Sequence, residues 1–194
     1  MSPGPDDLCG DAQMQDLIGV ANADSARGVD AIDAALAAFP DDARLHFLKG
    51  SLLIGLQRFI GAHQALSSAV RLSPDFHIAR FQLGLFELTS GEADSAVATW
   101  QPLKALPGDH WMRHFVDGLE HLASDRFDEC IADLSAGIAA NQENLPLNVD
   151  MQRIVAQCEG IVGKRMAVNI ADQAGEVSAT SFLLGASAGR KRKH

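Results

Sequence analysis

Apolar positions between residues 42 and 140 recur every three or four places, and no stretch of length alternates. That spacing is the signature of helices that bury one face. Phe81, Leu85 and Leu88 share one such face, and Phe115, Leu119 and Leu122 share another. Short polar pairs interrupt the runs at Gln57-Arg58, Gly91-Glu92 and Asp125-Arg126. Wider breaks fall at Pro40, Pro74 and Gly108. The pattern predicts three pairs of helices. Their first members cover about residues 42–56, 74–90 and 109–124, and their second members end near residues 72, 106 and 140.

The pairs are copies of one another in register. Phe47, Phe81 and Phe115 stand 34 residues apart, and so do Gly50, Gly84 and Gly118. Ala62, Ala96 and Cys130 form a column of small residues at the same spacing, and Leu66, Trp100 and Leu134 form a column of large ones. Ala69, Leu103 and Gly137 follow less strictly. A glycine inside a helix costs about 1 kcal/mol relative to alanine. Its recurrence as Gly50, Gly84 and Gly118 therefore predicts a close approach to a neighbouring helix. Gly91 has no such recurrence, since Gln57 and Asp125 hold its place, and it reads as serving one turn only.

A 34-residue helix–turn–helix with a Leu-Gly, a small residue and a closing proline resembles the tetratricopeptide repeat. Leu83-Gly84, Gly91, Ala96 and Trp100 carry the resemblance best, with Pro74 one unit earlier. It covers residues 43–76, 77–110 and 111–144 as three repeats, after a degenerate one at about 9–42. In the degenerate unit Gly28, Ile32, Ala35, Leu36 and Pro40 fit the second helix, whereas Gln13 and Asp16 stand where Phe and Gly belong. The good units depart too: His46, Arg80 and His114 replace an aromatic, and Lys49 and Asp117 replace the leucine before the glycine. The resemblance implies an all-α fold, a tetratricopeptide-like right-handed superhelix of antiparallel helix pairs. Such an α-α solenoid needs polar capping ends. Residues 145–162 suit a C-terminal capping helix, with Leu147, Met151, Ile154, Val155 and Cys158 as its apolar stripe. Residues 11–162 then form the repeat domain, residues 1–10 a flexible N-terminus, and residues 163–194 an extended or mobile tail.

In such arrays the first helix of each repeat lines a concave surface that binds protein or peptide. The matching positions are Arg44, Phe47, Ser51 and Ile54, then Ile78, Phe81, Leu85 and Leu88, then Met112, Phe115, Leu119 and Leu122. A mostly apolar row suits an apolar or amphipathic segment. It does not suit a ligand recognised by its carboxylates, because such a site requires Lys, Arg and Asn along the row and Arg44 alone is of that kind. An ordinary inter-helix core explains the same Phe residues equally well, and both readings stand at this point. Phe182, Leu183 and Leu184 form an apolar segment in a polar tail and are expected to dock into a groove, in the same molecule or in a neighbour. A homo-oligomer filling its own groove is the related alternative, and an escort for one partner protein is another.

Charge narrows the partners. The formal net charge is −9, and Arg190-Lys191-Arg192-Lys193 hold four of the 16 basic side chains. Without them 12 bases face 25 acids, a balance of −13 that favours neither nucleic acid nor anionic membrane. The three cysteines, Cys9, Cys130 and Cys158, are an odd number without close spacing, which opposes a disulfide framework and a CxxC metal site. Cys130 and Cys158 read as inert packing residues; Cys9 belongs to a loose acidic segment that raises a thiol pKa. His110, His114, Asp117 and His121 share a helix face and are the one candidate metal site, without an HExxH motif to support it; a metal-binding protein or enzyme using that His110–His121 face is the alternative to a scaffold. Asp6-Asp7 and Asp41-Asp42 read as helix caps. The common nucleotide-binding and nucleophile-elbow motifs are missing. The sequence thus predicts a scaffold with no catalytic residue and no cofactor. The absence of a secretory signal and of an apolar span points to a cytoplasmic protein. An alanine-rich, Arg-over-Lys composition points to a bacterial source.

Overall fold

The computed structural model describes the backbone of residues 8–188 and the side chains of residues 8–167. Those residues form helices and turns, with no strand among them. The chain divides into two compact units, Met1–Pro107 and Gly108–His194. In the first unit the helices are α1 (Asp11–Ala23), α2 (Ser25–Ala38), α3 (Ala43–Gly55), α4 (Phe59–Leu72), α5 (His77–Thr89) and α6 (Ala93–Trp100). In the second they are α7 (Trp111–Ala123), α8 (Phe127–Ala140) and α9 (Leu145–Ala188). Within each unit every helix packs on the next in sequence. The short turns make neighbours antiparallel.

The recurring glycines work as close-approach points. A Cβ on Gly50 would stand 2.7 Å from Leu66 Cγ, and one on Gly118 would stand 2.7 Å from Leu134 Cδ2. A Cβ on Gly84 would enter the Trp100 indole. The glycine column of the first helices therefore receives the large column of the second helices, pair by pair. All three large residues are fully buried. The degenerate first pair solves the same problem in reverse. Gly28, on α2, lies against Ala21 of α1, where a Cβ would meet the Ala21 Cα at 2.6 Å.

The turn between the two helices of a pair is also a repeated device, and here the expectation for Gly91 is corrected. Gln57 (φ 58°), Gly91 (φ 86°) and Asp125 (φ 57°) all adopt the left-handed conformation. Each is followed by a residue whose N–H returns to the helix: Arg58 to the Leu53 carbonyl at 2.9 Å, Glu92 to that of Glu87 at 2.9 Å, and Arg126 to that of His121 at 3.0 Å. The left-handed residues themselves donate to the Ile54, Leu88 and Leu122 carbonyls at 2.9, 3.0 and 3.1 Å. This is a Schellman C-cap used three times. Glycine is the favoured residue for it but not the required one, so sequence identity hid the recurrence.

Two elements differ from the periodic pattern. Pro102 lacks the N–H an α-helix would use, and α6 tightens after Trp100 into a 3₁₀ turn, Gln101–Ala105. At the far end, the helix expected to cap the array over 145–162 does not stop there. It runs on through Ala188, so residues 163–188 are helical and not extended. No proline follows Pro146, and nothing in the backbone chemistry forces an end at Gly163.

The core runs through successive pairs. Cys9, Leu17, Ile32, Ala35 and Leu45 form one buried cluster, drawn from the segment before α1 and from α1, α2 and α3. Val29, Leu53 and Ala62 form another across α2, α3 and α4. A single helix pair has too little apolar surface to bury alone, and sharing a core between pairs is how such a chain gains stability.

Candidate protein-binding surfaces

The first helices carry the row of residues singled out by their repeat positions. In the first unit Phe47, Ser51 and Ile54 of α3 and Ile78, Leu85 and Leu88 of α5 are half-buried. Ser51 Oγ donates to Gln82 Oε1 at 3.0 Å and ties α3 to α5 along this row. Phe47 rests on Phe76, with ring centroids 5.1 Å apart. Phe81 differs: it is 1% exposed, its ring stacks on Trp100 at 6.1 Å, and its carbonyl accepts from Trp100 Nε1 at 3.0 Å. In the second unit Met112, Phe115 and Leu119 are buried and Leu122 is half-buried. Phe115 packs edge-on to Trp111 at 5.5 Å and lies over Gly137. The three Phe residues are thus not equivalent: two are core and Phe47 is partly open.

Arg44 is spent on structure. Its guanidinium donates to Asp42 Oδ1 at 3.0 Å, to Asp42 Oδ2 at 2.7 Å and to the Cys9 carbonyl at 2.6 Å. Asp42 is fully buried, accepts from the Cys9 N–H at 3.0 Å and caps α3 through the Arg44 N–H at 3.0 Å. Burial pushes the Asp42 carboxyl up. The hydrogen bonds from Arg44 and Cys9, with the Arg44 charge, outweigh burial and hold it below the usual carboxylate range. Cys9 is buried and tied into this knot, which corrects the loose N-terminal segment expected there. Burial first, then the Asp42 charge, pushes its thiol up. Residues 1–7 lie outside the described residues.

The histidine face is partitioned as well. His110 caps α7, its Nδ1 accepting from the Met112 N–H at 3.1 Å. His121 Nδ1 lies 3.0 Å from Asp133 Oδ2 and His114 Nδ1 lies 3.8 Å from Asp133 Oδ1, a clasp between α7 and α8. Asp117 pairs with Arg113 at 2.7 Å. Among the described residues no group of three or more His, Cys, Asp and Glu is placed to hold a metal ion. Cys158 Sγ lies 3.8 Å from Cys130 Sγ, both buried, and burial followed by that neighbour pushes the Cys130 thiol up to about 12.

Two features went unread in the sequence. Glu87 is a buried carboxylate in the column that holds Leu53 one repeat earlier, and that mismatch is its signal. Asn141 is fully buried and seats α9. Its Oδ1 accepts from the Glu143 and Asn144 N–H groups at 3.1 and 3.0 Å, and its Nδ2 donates to Asn148 Oδ1 at 2.7 Å. No hydropathy pattern marks such a residue. Phe182, Leu183 and Leu184 lie outside the residues whose side chains are described.

Antiparallel helix pairs with one glycine-to-large contact and one left-handed turn each define a helical-repeat scaffold, a class that works by presenting surface to other proteins. The tetratricopeptide-repeat pattern matches residues 20–59 and 50–109, and that stretch of the chain is built of tetratricopeptide repeats. Proteins of this family are in general non-catalytic interaction scaffolds. Among solved structures, MamA (41 to end) from Desulfovibrio magneticus RS-1 is similar in fold, with a TM-score of 0.56 at 11% identity over 87% of this chain and 97% of that one. The MamA RS-1 ArsTM double mutant gives 0.53 at 12% identity over 78% and 97%. No curated protein matches the chain. No helix among the described residues is long and apolar enough to cross a membrane.

Proposed function

We propose that the chain is a non-catalytic adaptor that holds an apolar or amphipathic segment of a partner protein against α3 and α5. One observation carries this reading: the row Phe47, Ser51, Ile54, Ile78, Leu85 and Leu88 is only half-buried, while the matching Met112, Phe115 and Leu119 are used up in the core of the second unit. A row that is apolar, in register and partly open suits an amphipathic helix or an extended apolar peptide. The test is partner recovery from the native cell with wild type and with Leu85→Glu, after circular dichroism shows both folded. Loss of a partner with the variant supports the row as the binding face. Equal recovery of every partner overturns it.

A further inference from the structure

The first unit carries a second surface on the side of its helix turns, away from the chemistry of the α3–α5 row. A cleft of ≈ 350 Å³ opens between the start of α4 and the end of α5. Phe59 and Ile60 form its lip and are 54% and 81% exposed, unusual values for such side chains on a well-packed pair. The Phe86 ring stands 6.2 Å from that of Phe59 and 6.1 Å from that of His63. Glu87 also lines the cleft, yet its side chain is only 7% exposed. Its Oε1 lies 3.5 Å from His63 Nε2, and its Oε2 is buried without a hydrogen-bond donor.

A buried carboxylate oxygen without a donor costs free energy, on the order of 1–3 kcal/mol or more. Packing alone does not explain its presence, because the preceding repeat fills the same column with Leu53. A ligand bringing an N–H donor relieves that cost. The flanking rings decide which donor fits. A planar guanidinium stacks on aromatic faces, is less strongly hydrated than an ammonium, and meets a carboxylate with paired N–H groups. The exposed Phe59 and Ile60 then take the apolar stem or a neighbouring apolar side chain. The charge of the chain agrees: outside Arg190–Lys193 its balance is −13, which attracts a basic partner.

We propose that this cleft is a receptor for an arginine side chain of a partner protein, with the guanidinium on the Glu87 carboxylate beside the Phe59 and Phe86 rings and an apolar neighbour on Ile60. The site is separate from the α3–α5 row, so failure of one reading leaves the other standing.

The experiment titrates the full chain with N-acetyl-argininamide, N-acetyl-citrullinamide and N-acetyl-leucinamide, following backbone resonances by NMR. The arginine compound is expected to shift residues around 59–63 and 86–92 in a saturable way. The neutral citrulline analogue should bind about tenfold more weakly, and so should arginine binding to Glu87→Gln. Phe59→Ala tests the rings at an exposed position where the fold is not at stake. Equal binding of citrulline or leucine overturns the proposal, as does arginine binding that survives Glu87→Gln in a folded variant. If Arg190→Glu with Arg192→Glu frees the cleft for tighter arginine binding, the basic end of this chain is the occupant and the partner protein is ruled out.

Discussion

Gly84→Ala adds one methyl group in the direction of a ring that has no room to retreat. Trp100 is fully buried and its Nε1 is held by the Phe81 carbonyl. Alanine would improve the helix by about 1 kcal/mol, but overpacking of this kind costs 1–3 kcal/mol or more. The variant is expected to lose about 1 kcal/mol on balance, measured by urea denaturation. Gly50→Ala should lose less, because Leu66 is a more adaptable neighbour. At Asp42 the residue scale sets a pH response. Its carboxyl titrates lower folded than unfolded, so it contributes stability fully above the ordinary value of 3.8, and that contribution is lost as pH falls through the folded value. Asp42→Asn should flatten the acid limb of the melting-temperature profile and lower stability at pH 7, where the part-buried Arg44–Asp42 bonds are intact.

At the scale of elements, the three Schellman turns make opposite predictions at equivalent places. A left-handed backbone costs a non-glycine residue about 1 kcal/mol. Gln57→Gly is expected to raise stability by about that amount and Gly91→Ala to lower it similarly, both by chemical denaturation. Asp125→Gly should gain less, because aspartate tolerates the left-handed region better than glutamine does. The seat of α9 is a second element-level property. Asn141→Ala leaves two backbone N–H groups, the Asn144 carbonyl and Asn148 Oδ1 without the Asn141 side chain, at about 1–3 kcal/mol for each group that stays buried and unpaired. Faster amide exchange in residues 141–151 should report the loosened α8–α9 corner, while α1–α4 exchange stays unchanged.

For the whole molecule, the unequal exposure of the two units separates binding from stability. Leu85→Glu places a charge on a half-buried position and should weaken partner binding with little change in melting temperature. Leu119→Glu, at the corresponding position of the next repeat, puts a charge where nothing is exposed. It is expected to cost more than about 4 kcal/mol and to unfold the second unit before any partner is considered. The same substitution class thus reads out function in one repeat and folding in the other.

Much of the architecture was legible in the sequence because a repeat states each rule three times. The pairing of Gly50, Gly84 and Gly118 with Leu66, Trp100 and Leu134 follows from spacing, since helical geometry places those columns opposite each other. What spacing cannot express is how far a given neighbour covers a residue. Phe47, Phe81 and Phe115 are one letter at one register, yet only Phe47 stays partly open, because the residues that bury the other two, Trp100, Trp111 and Gly137, are not matched around it. The left-handed turns were hidden for a related reason: φ is a property of the backbone, and three different residues adopt it. Glu87 and the Asn141 seat depend on atoms brought together by packing. Sequence by itself determined the helix pairs between residues 42 and 140, their order and their pairing through local periodicity. Tertiary structure decided which surface is left over for a partner, because exposure is what remains after every neighbour has packed.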